Sequence, residues 1–139
     1  MGHIIGTVSE VMSTPVITAP PARTLTAVTE QLLEEGVGSV VLATETPDGI
    51  VTKTDLLAGH STYDAPAEQP VSAVASTPVV TIHPDQPLST AARRLDERKI
   101  KHLVVVDQGI EGVVTTTDIL NQLGSTTTGL LNEVAASDE

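Results

Sequence analysis

Apolar positions in this chain fall into short β-branched runs and one-sided helical stretches, in an order that occurs twice. Val16-Ile17-Thr18 is β-branched and reads as a strand, broken by Ala19-Pro20-Pro21-Ala22-Arg23. Thr24 can cap a helix whose apolar side is Leu25, Val28 and Leu32, with Leu33 beside it, and Gly36 stands where that helix should stop. Val40-Val41-Leu42-Ala43 reads as a buried strand. Thr46-Pro47-Asp48-Gly49 has the chemistry of a turn, because Pro presets one dihedral and Gly accepts a positive one. Ile50-Val51-Thr52 is a further strand, and Thr54 or Asp55 can cap a helix carrying Leu56 and Leu57.

The second half follows suit. Val79 to Ile82 reads as a strand, and Leu88 to about Lys99 as a helix with Leu88, Ala91, Ala92 and Leu95 inward. Leu103-Val104-Val105-Val106 and Val113-Val114-Thr115 read as strands around a turn that takes in Gly109 and Gly112. Ile119 to Leu123 closes the series as a helix. Ser13-Thr14-Pro15-Val16 recurs as Ser76-Thr77-Pro78-Val79, and the run Gly49 to Leu57 recurs as Gly112 to Leu120, at a constant offset of 63. Aligned without a gap, 17 of the 47 positions from Val11 to Leu57 match their partners. The pattern predicts an α/β (α+β) fold of two β-α-β-β-α units, over 10–60 and 71–123. A polar linker at 61–70 joins them, and a tail follows at 124–139. Met1 to Glu10 is a short lead-in. Leu130, Leu131 and Val134 are spaced for a short terminal helix. A unit of about 60 residues is marginal alone, so two copies are expected to make one paired module.

Composition narrows the chemistry. Asp and Glu number 18 against 7 Lys and Arg, a net charge of −11, which disfavours nucleic acid and anionic membranes as partners. Tyr63 alone is aromatic, so base-stacking platforms are missing. The acidic, Lys-poor, Thr-rich composition fits a halophilic prokaryote. There is no Cys, which excludes thiolate metal sites and Cys nucleophiles. His3, His60, His83 and His102 lack ligand spacing, so no metal site is expected. No apolar stretch approaches about 20 residues and no leader opens the chain, so a soluble cytoplasmic protein is expected. No nucleophile, base and oxyanion set stands out, and no catalytic residue is assigned.

The Thr-Pro-x-x-Thr segments, the amphipathic helices, the Val-rich strands and the two Gly-h-Val-Thr-x-x-Asp-h-h runs together resemble the CBS domain. Two in tandem resemble a Bateman module. The resemblance covers Glu10 to Leu123, and it is to a stand-alone CBS pair. It implies a regulatory module without catalysis, needing no cofactor, that binds AMP, ADP, ATP, S-adenosylmethionine or a dinucleotide in clefts between repeats. It also implies a homodimer formed through exposed helix faces around Leu25–Glu35 or Leu56–Ala58, and an effector protein in trans. Asp55 and Asp118 match the family's ribose-binding carboxylate, with Thr52 and Thr115 on ribose or phosphate and Thr54 and Thr117 in the first helical turn. Family geometry groups Asp55 with Ser76, Thr77, Val79, Thr81, Lys101 and His102. It groups Asp118 with Ser13, Thr14, Val16, Thr18, Val37, Gly38 and Ser39. Lys101-His102 resembles a phosphate-meeting basic pair, so the Asp55 cleft is expected to prefer a phosphorylated ligand and the Asp118 cleft a less charged adenosyl group.

The chain departs from many nucleotide-binding members in one respect. They carry Arg just before the motif's Asp, where this chain has Lys53-Thr54 and Thr116-Thr117. With the net negative charge, that favours AMP, adenosine or S-adenosylmethionine over ATP. It also keeps alive a second reading, a ligand-free scaffold for protein interaction. On that reading Asp55 and Asp118 are helix caps only, each worth about 1 kcal/mol.

Overall fold

The computed structural model describes residues 5–124. The tail segment with Leu130, Leu131 and Val134 lies outside them. The elements run α1 (Val8–Val11), β1 (Thr18–Ala19), α2 (Leu25–Glu35), β2 (Ser39–Ala43), β3 (Pro47–Thr52) and α3 (Lys53–Thr62). A 3-10 turn follows at Val71–Ala73, then β4 (Thr81–Ile82), α4 (Leu88–Arg98), β5 (His102–Val106) and β6 (Ile110–Thr115). A last helix, α5, covers 116–124. From β1 onward each element recurs at the same offset of 63 as the sequence motifs.

Two three-stranded sheets result, ordered β1-β2-β3 and β4-β5-β6. In each, the first pair is parallel and the second antiparallel. The parallel pair needs a crossover, which α2 and α4 supply. The chain divides into two compact units, and the division does not follow the repeats. One unit is Pro15–Val79; the other joins the chain up to Thr14 with the chain from Val80. Each repeat's leading segment is thus built into the other repeat's unit. Val71 N–H donates to Arg23 C=O at 2.7 Å, and Leu25 N–H to Gln69 C=O at 2.9 Å. In the other unit Val8 N–H donates to Gln86 C=O at 2.9 Å, and Leu88 N–H to Gly6 C=O at 3.0 Å.

Burial explains the exchange. Each unit has its own apolar core, and each core takes one valine from a leading segment. Val71 is fully buried with Leu25, Val28, Leu32, Leu42 and Val51. Val8 is fully buried with Leu88, Leu95, Leu103, Val105 and Val114. Residues read as the lead-in and as the start of the second repeat therefore supply core. Burying a Val side chain stabilises by roughly 1.5–3 kcal/mol.

Local chemistry sets the helix ends. Thr24 Oγ1 accepts from Ala27 N–H at 3.2 Å, capping α2. Gly36 ends that helix in the left-handed region, φ 66°. At the matching end of α4 the left-handed residue is Lys99, φ 54°. The turn expected over Thr46–Gly49 falls earlier. Residues 44–46 make it, with Thr44 Oγ1 donating to Asp48 Oδ2 at 3.1 Å, and Pro47 already pairs with Ala43. Gly49 and Gly112 sit inside β3 and β6, opposite Leu42 and Val105. The strand expected over Val16–Thr18 is reduced to Thr18–Ala19, with Ile17 C=O still accepting from Val41 N–H at 2.9 Å.

Candidate functional site

In both units the third strand runs without a loop into a helix, and the residue at that corner is Thr. Thr52 ends β3 and caps α3; Thr115 ends β6 and precedes α5. Thr52 N–H donates to Asp55 Oδ2 at 2.9 Å, and Asp55 N–H donates back to Thr52 Oγ1 at 3.3 Å. Thr115 N–H donates to Asp118 Oδ2 at 2.9 Å, and Asp118 N–H to Thr115 Oγ1 at 3.1 Å. Each corner is a capping box, with the carboxylate at the third helical position. This differs from the expectation that Thr54 or Asp55 would be the cap. A strand ending in an extended Thr leaves its hydroxyl free to reach two or three residues ahead, and that residue becomes the cap.

The capping box also fixes what the carboxylate can do. One oxygen of each Asp is committed to backbone. Among the described residues, Oδ1 of neither Asp accepts a hydrogen bond, and both side chains are half-buried. A carboxylate pinned by one oxygen at a helix N-terminus is held in orientation. Its second oxygen can accept from hydroxyl groups of a ligand. Thr54 and Thr117 lie exposed in the first turns of α3 and α5.

The leading segments reach the same strands. Ile50 and Ser76 exchange both backbone hydrogen bonds, at 3.1 and 2.9 Å, which lays Ser76-Thr77 along β3. Ser13 and Val113 do likewise at 2.8 and 3.2 Å, laying Ser13-Thr14 along β6. Glycine is required there for close approach. A Cβ on Gly49 would lie 2.8 Å from Thr77 Cγ2 and 3.2 Å from Ser76 C=O. One on Gly112 would lie 2.6 Å from Met12 Sδ. The sequence marked both glycines by their repetition, but their role in a strand was hidden behind their turn-like neighbours.

The unit Pro15–Val79 thus brings together Thr52, Asp55 and Thr77, with Ser39 opposite Thr52 across β2 and β3. Thr18 and Thr54 belong to it too. The other unit holds Thr14, Thr115, Thr117 and Asp118, with His102 opposite Thr115 across β5 and β6. Lys101 C=O accepts from Thr116 N–H at 3.1 Å, which places Lys101 beside the Asp118 corner. Thr81 is in this unit as well, its C=O accepting from Arg94 Nη1 at 2.8 Å. Thr81, Lys101 and His102, grouped with Asp55 by family geometry, therefore share a unit with Asp118. Thr18 and Ser39, grouped with Asp118, share one with Asp55.

Among the described residues there is no His, Asp and Glu cluster able to hold a metal ion. No helix among them is long and apolar enough to cross a membrane. Among the described residues no buried side-chain polar atom lacks a partner.

Two β-α-β-β-α repeats with a Thr–Asp helix corner in each define a tandem-repeat architecture. The chain matches the CBS domain family over residues 8–60 and again over 71–125, and it belongs to that family as a tandem pair. It is 34% identical over 118 residues to the protein MK0525 of Methanopyrus kandleri, covering 81% of this chain and 60% of that one. It is 27% identical to the CBS domain-containing protein YhcV of Bacillus subtilis, covering 90% of this chain and 91% of that one. The chain therefore spans less than two thirds of the Methanopyrus protein.

Among solved structures, the CBS domain pair of protein MJ0100, in complex with 5'-methylthioadenosine and S-adenosyl-L-methionine, superposes with a TM-score of 0.74. It is 23% identical and covers 88% of this chain and 98% of that one. The protein PAE2072 of Pyrobaculum aerophilum, complexed with AMP, has a TM-score of 0.68 at 26% identity, over 86% of this chain and 98% of that one. A hexameric CBS-CP12 protein from bloom-forming cyanobacteria has a TM-score of 0.74 at 22% identity, over 86% of this chain and 73% of that one.

Proposed function

We propose that this chain is a regulatory module without catalysis that takes an adenosyl ligand at its Thr–Asp corners and signals occupancy to a partner protein. The observation that carries the reading is the pair of pinned carboxylates, each with one oxygen uncommitted. A ribose offers two adjacent hydroxyl donors to such an oxygen. Thr52, Thr54, Thr77 and Ser39 complete the surroundings of Asp55. Thr14, Thr115, Thr117 and His102 complete those of Asp118. Thr18 and Thr81 open the first strands, and Lys101 supplies positive charge. Relatives that hold AMP, or S-adenosyl-L-methionine with 5'-methylthioadenosine, support the ligand class. With a net charge of −11, AMP, adenosine or S-adenosylmethionine fits better than ATP. Its place of action on this reading is the cytoplasm.

The test is a thermal-shift series in high salt with AMP, ADP, ATP, adenosine, S-adenosylmethionine and NAD, on the intact chain and on Asp55→Ala and Asp118→Ala. A ligand that binds only the folded state raises Tm by mass action, by an amount equivalent to about 2.7 kcal/mol at 100 times Kd. A shift with one ligand that one Asp variant abolishes is the expected result. No shift with any of them would overturn the reading.

A second reading rests on a different observation. Leu33, Leu57 and Leu120 are 67%, 69% and 58% exposed on helix faces. Leu33 and Leu57, on α2 and α3, fit a homodimer interface. A scaffold that assembles without ligand would use the same surface and give a dimer mass unchanged by any nucleotide.

A further inference from the structure

The unit that contains α4 and α5 carries an apolar groove of about 440 Å³ between these helices. Ala92, Leu95, Ile100, Ile119, Leu120 and Leu123 line it, and Lys99 and Lys101 stand at its rim. The offset of 63 gives the corresponding place in the other unit. There Thr29 and His60 stand where Ala92 and Leu123 are, and their side chains hydrogen-bond at 3.0 Å across α2 and α3. A polar pair bridges the helices in one copy, while the other is apolar with lysines at its rim. Of the seven basic residues in the chain, Arg93, Arg94, Arg98, Lys99 and Lys101 lie on the second half of α4 and just beyond.

We propose that this groove is the docking site of the chain's own segment Leu130–Val134. Three observations favour that occupant. The chain leaves the described fold at Gly124, one residue after groove-lining Leu123, so the tail is tethered at the groove's edge. From Gly124 to Leu130 the reach is roughly 20 Å of extended chain. Helix α5 is only about 13 Å long at 1.5 Å per residue, so the tail can double back over it. The segment presents Leu130, Leu131 and Val134, spaced for one helical face. The tail 125–139 contains Glu133, Asp138 and Glu139 and no Lys or Arg, opposite in sign to the rim. Asp96, which also lines the groove, is 3.3 Å from Lys99 Nζ, so among the described residues Lys101 is the rim cation left for an acidic tail. Tethering raises the local tail concentration to the millimolar range, so a few apolar contacts suffice.

Amide hydrogen exchange on the intact chain tests this, alongside the solution mass. Residues 130–134 are expected to exchange at least about tenfold more slowly than in Leu120→Asp, whose substituted side chain is surface-exposed and should leave the core intact. Leu130→Ser with Leu131→Ser, which leaves residues 5–124 unaltered, should raise exchange at Ile119 to Leu123 and bind a hydrophobic dye. The protection should survive a roughly hundredfold dilution, because tethered docking does not depend on concentration. Exchange of 130–134 at the free-chain rate would overturn the proposal. So would protection that Leu120→Asp leaves unchanged. Protection lost on dilution together with a halved mass would assign the groove to a second copy instead, which also overturns it.

Discussion

Gly49→Ala is expected to destabilise the chain more than Gly112→Ala, although the two glycines occupy equivalent positions. The added Cβ at 49 would stand 2.8 Å from Thr77 Cγ2 and 3.2 Å from Ser76 C=O. Carbon atoms prefer about 3.5–4.0 Å. Rotating Thr77 relieves the methyl contact alone. The carbonyl is held by the reciprocal bonds of Ser76 to Ile50, at 2.9 and 3.1 Å, and cannot withdraw without lengthening them. Overpacking of this kind costs about 1–3 kcal/mol. Replacing a strand Gly by Ala returns about 0.5–1 kcal/mol of chain entropy. The net loss is therefore about 0–2.5 kcal/mol. At Gly112 the nearest atoms are Met12 Sδ at 2.6 Å and Cγ at 2.8 Å, in a side chain that can swing aside, while Met12 Cβ at 3.1 Å needs only a small shift. That loss should stay below about 1 kcal/mol.

The assay is urea unfolding, read as a shift in midpoint at constant slope. Thr77→Ser alone, at an exposed position, should stay within about 0.5 kcal/mol of wild type. In the Gly49→Ala background it should recover about 0.5–1 kcal/mol, the part owed to the methyl. A Gly49→Ala that stabilises the chain, or one milder than Gly112→Ala, would refute the exchanged leading segment as the reason for glycine here.

Lys99→Gly should stabilise by about 0.5–1 kcal/mol, because Lys99 holds φ 54° where the other repeat uses Gly36, and its ion pair with Asp96 is exposed on both sides and weak; a lowered Tm would count against it. Thr52→Ala and Thr115→Ala should each lose about 1 kcal/mol in chemical denaturation, since each removes a cap acceptor. Val71→Ala should destabilise by about 1–3 kcal/mol despite lying outside the first repeat, because its side chain is fully buried in that repeat's core. A Val71→Ala chain as stable as wild type by urea midpoint would show that this segment does not fill the core.

Local chemistry was legible where a single residue decides an outcome. Thr24 and Gly36 marked the ends of α2, and the Val-rich runs became β2 and β5, because caps, left-handed glycines and β-branched runs act within a few residues. The doubled Thr-x-x-Asp motif pointed to both helix corners, though it did not show that Thr is the cap and that Asp gives one oxygen to the backbone. That depends on where the strand ends, a matter of sheet register.

Other features depended on partners far away in sequence. Gly49 and Gly112 looked like turn residues beside Pro47 and Gly109. Only the pairing of Ser76 with Ile50 and of Ser13 with Val113 reveals what their missing side chains accommodate. Val8 and Val71 looked peripheral because nothing nearby covers them; each is buried by residues of the other repeat. A repeated sequence thus determined which elements form and in what order, through periodicity and capping that operate over one or two turns. Tertiary structure alone decided which copy each leading segment completes, because each unit's core closes only when a valine from the other repeat's leading segment fills it.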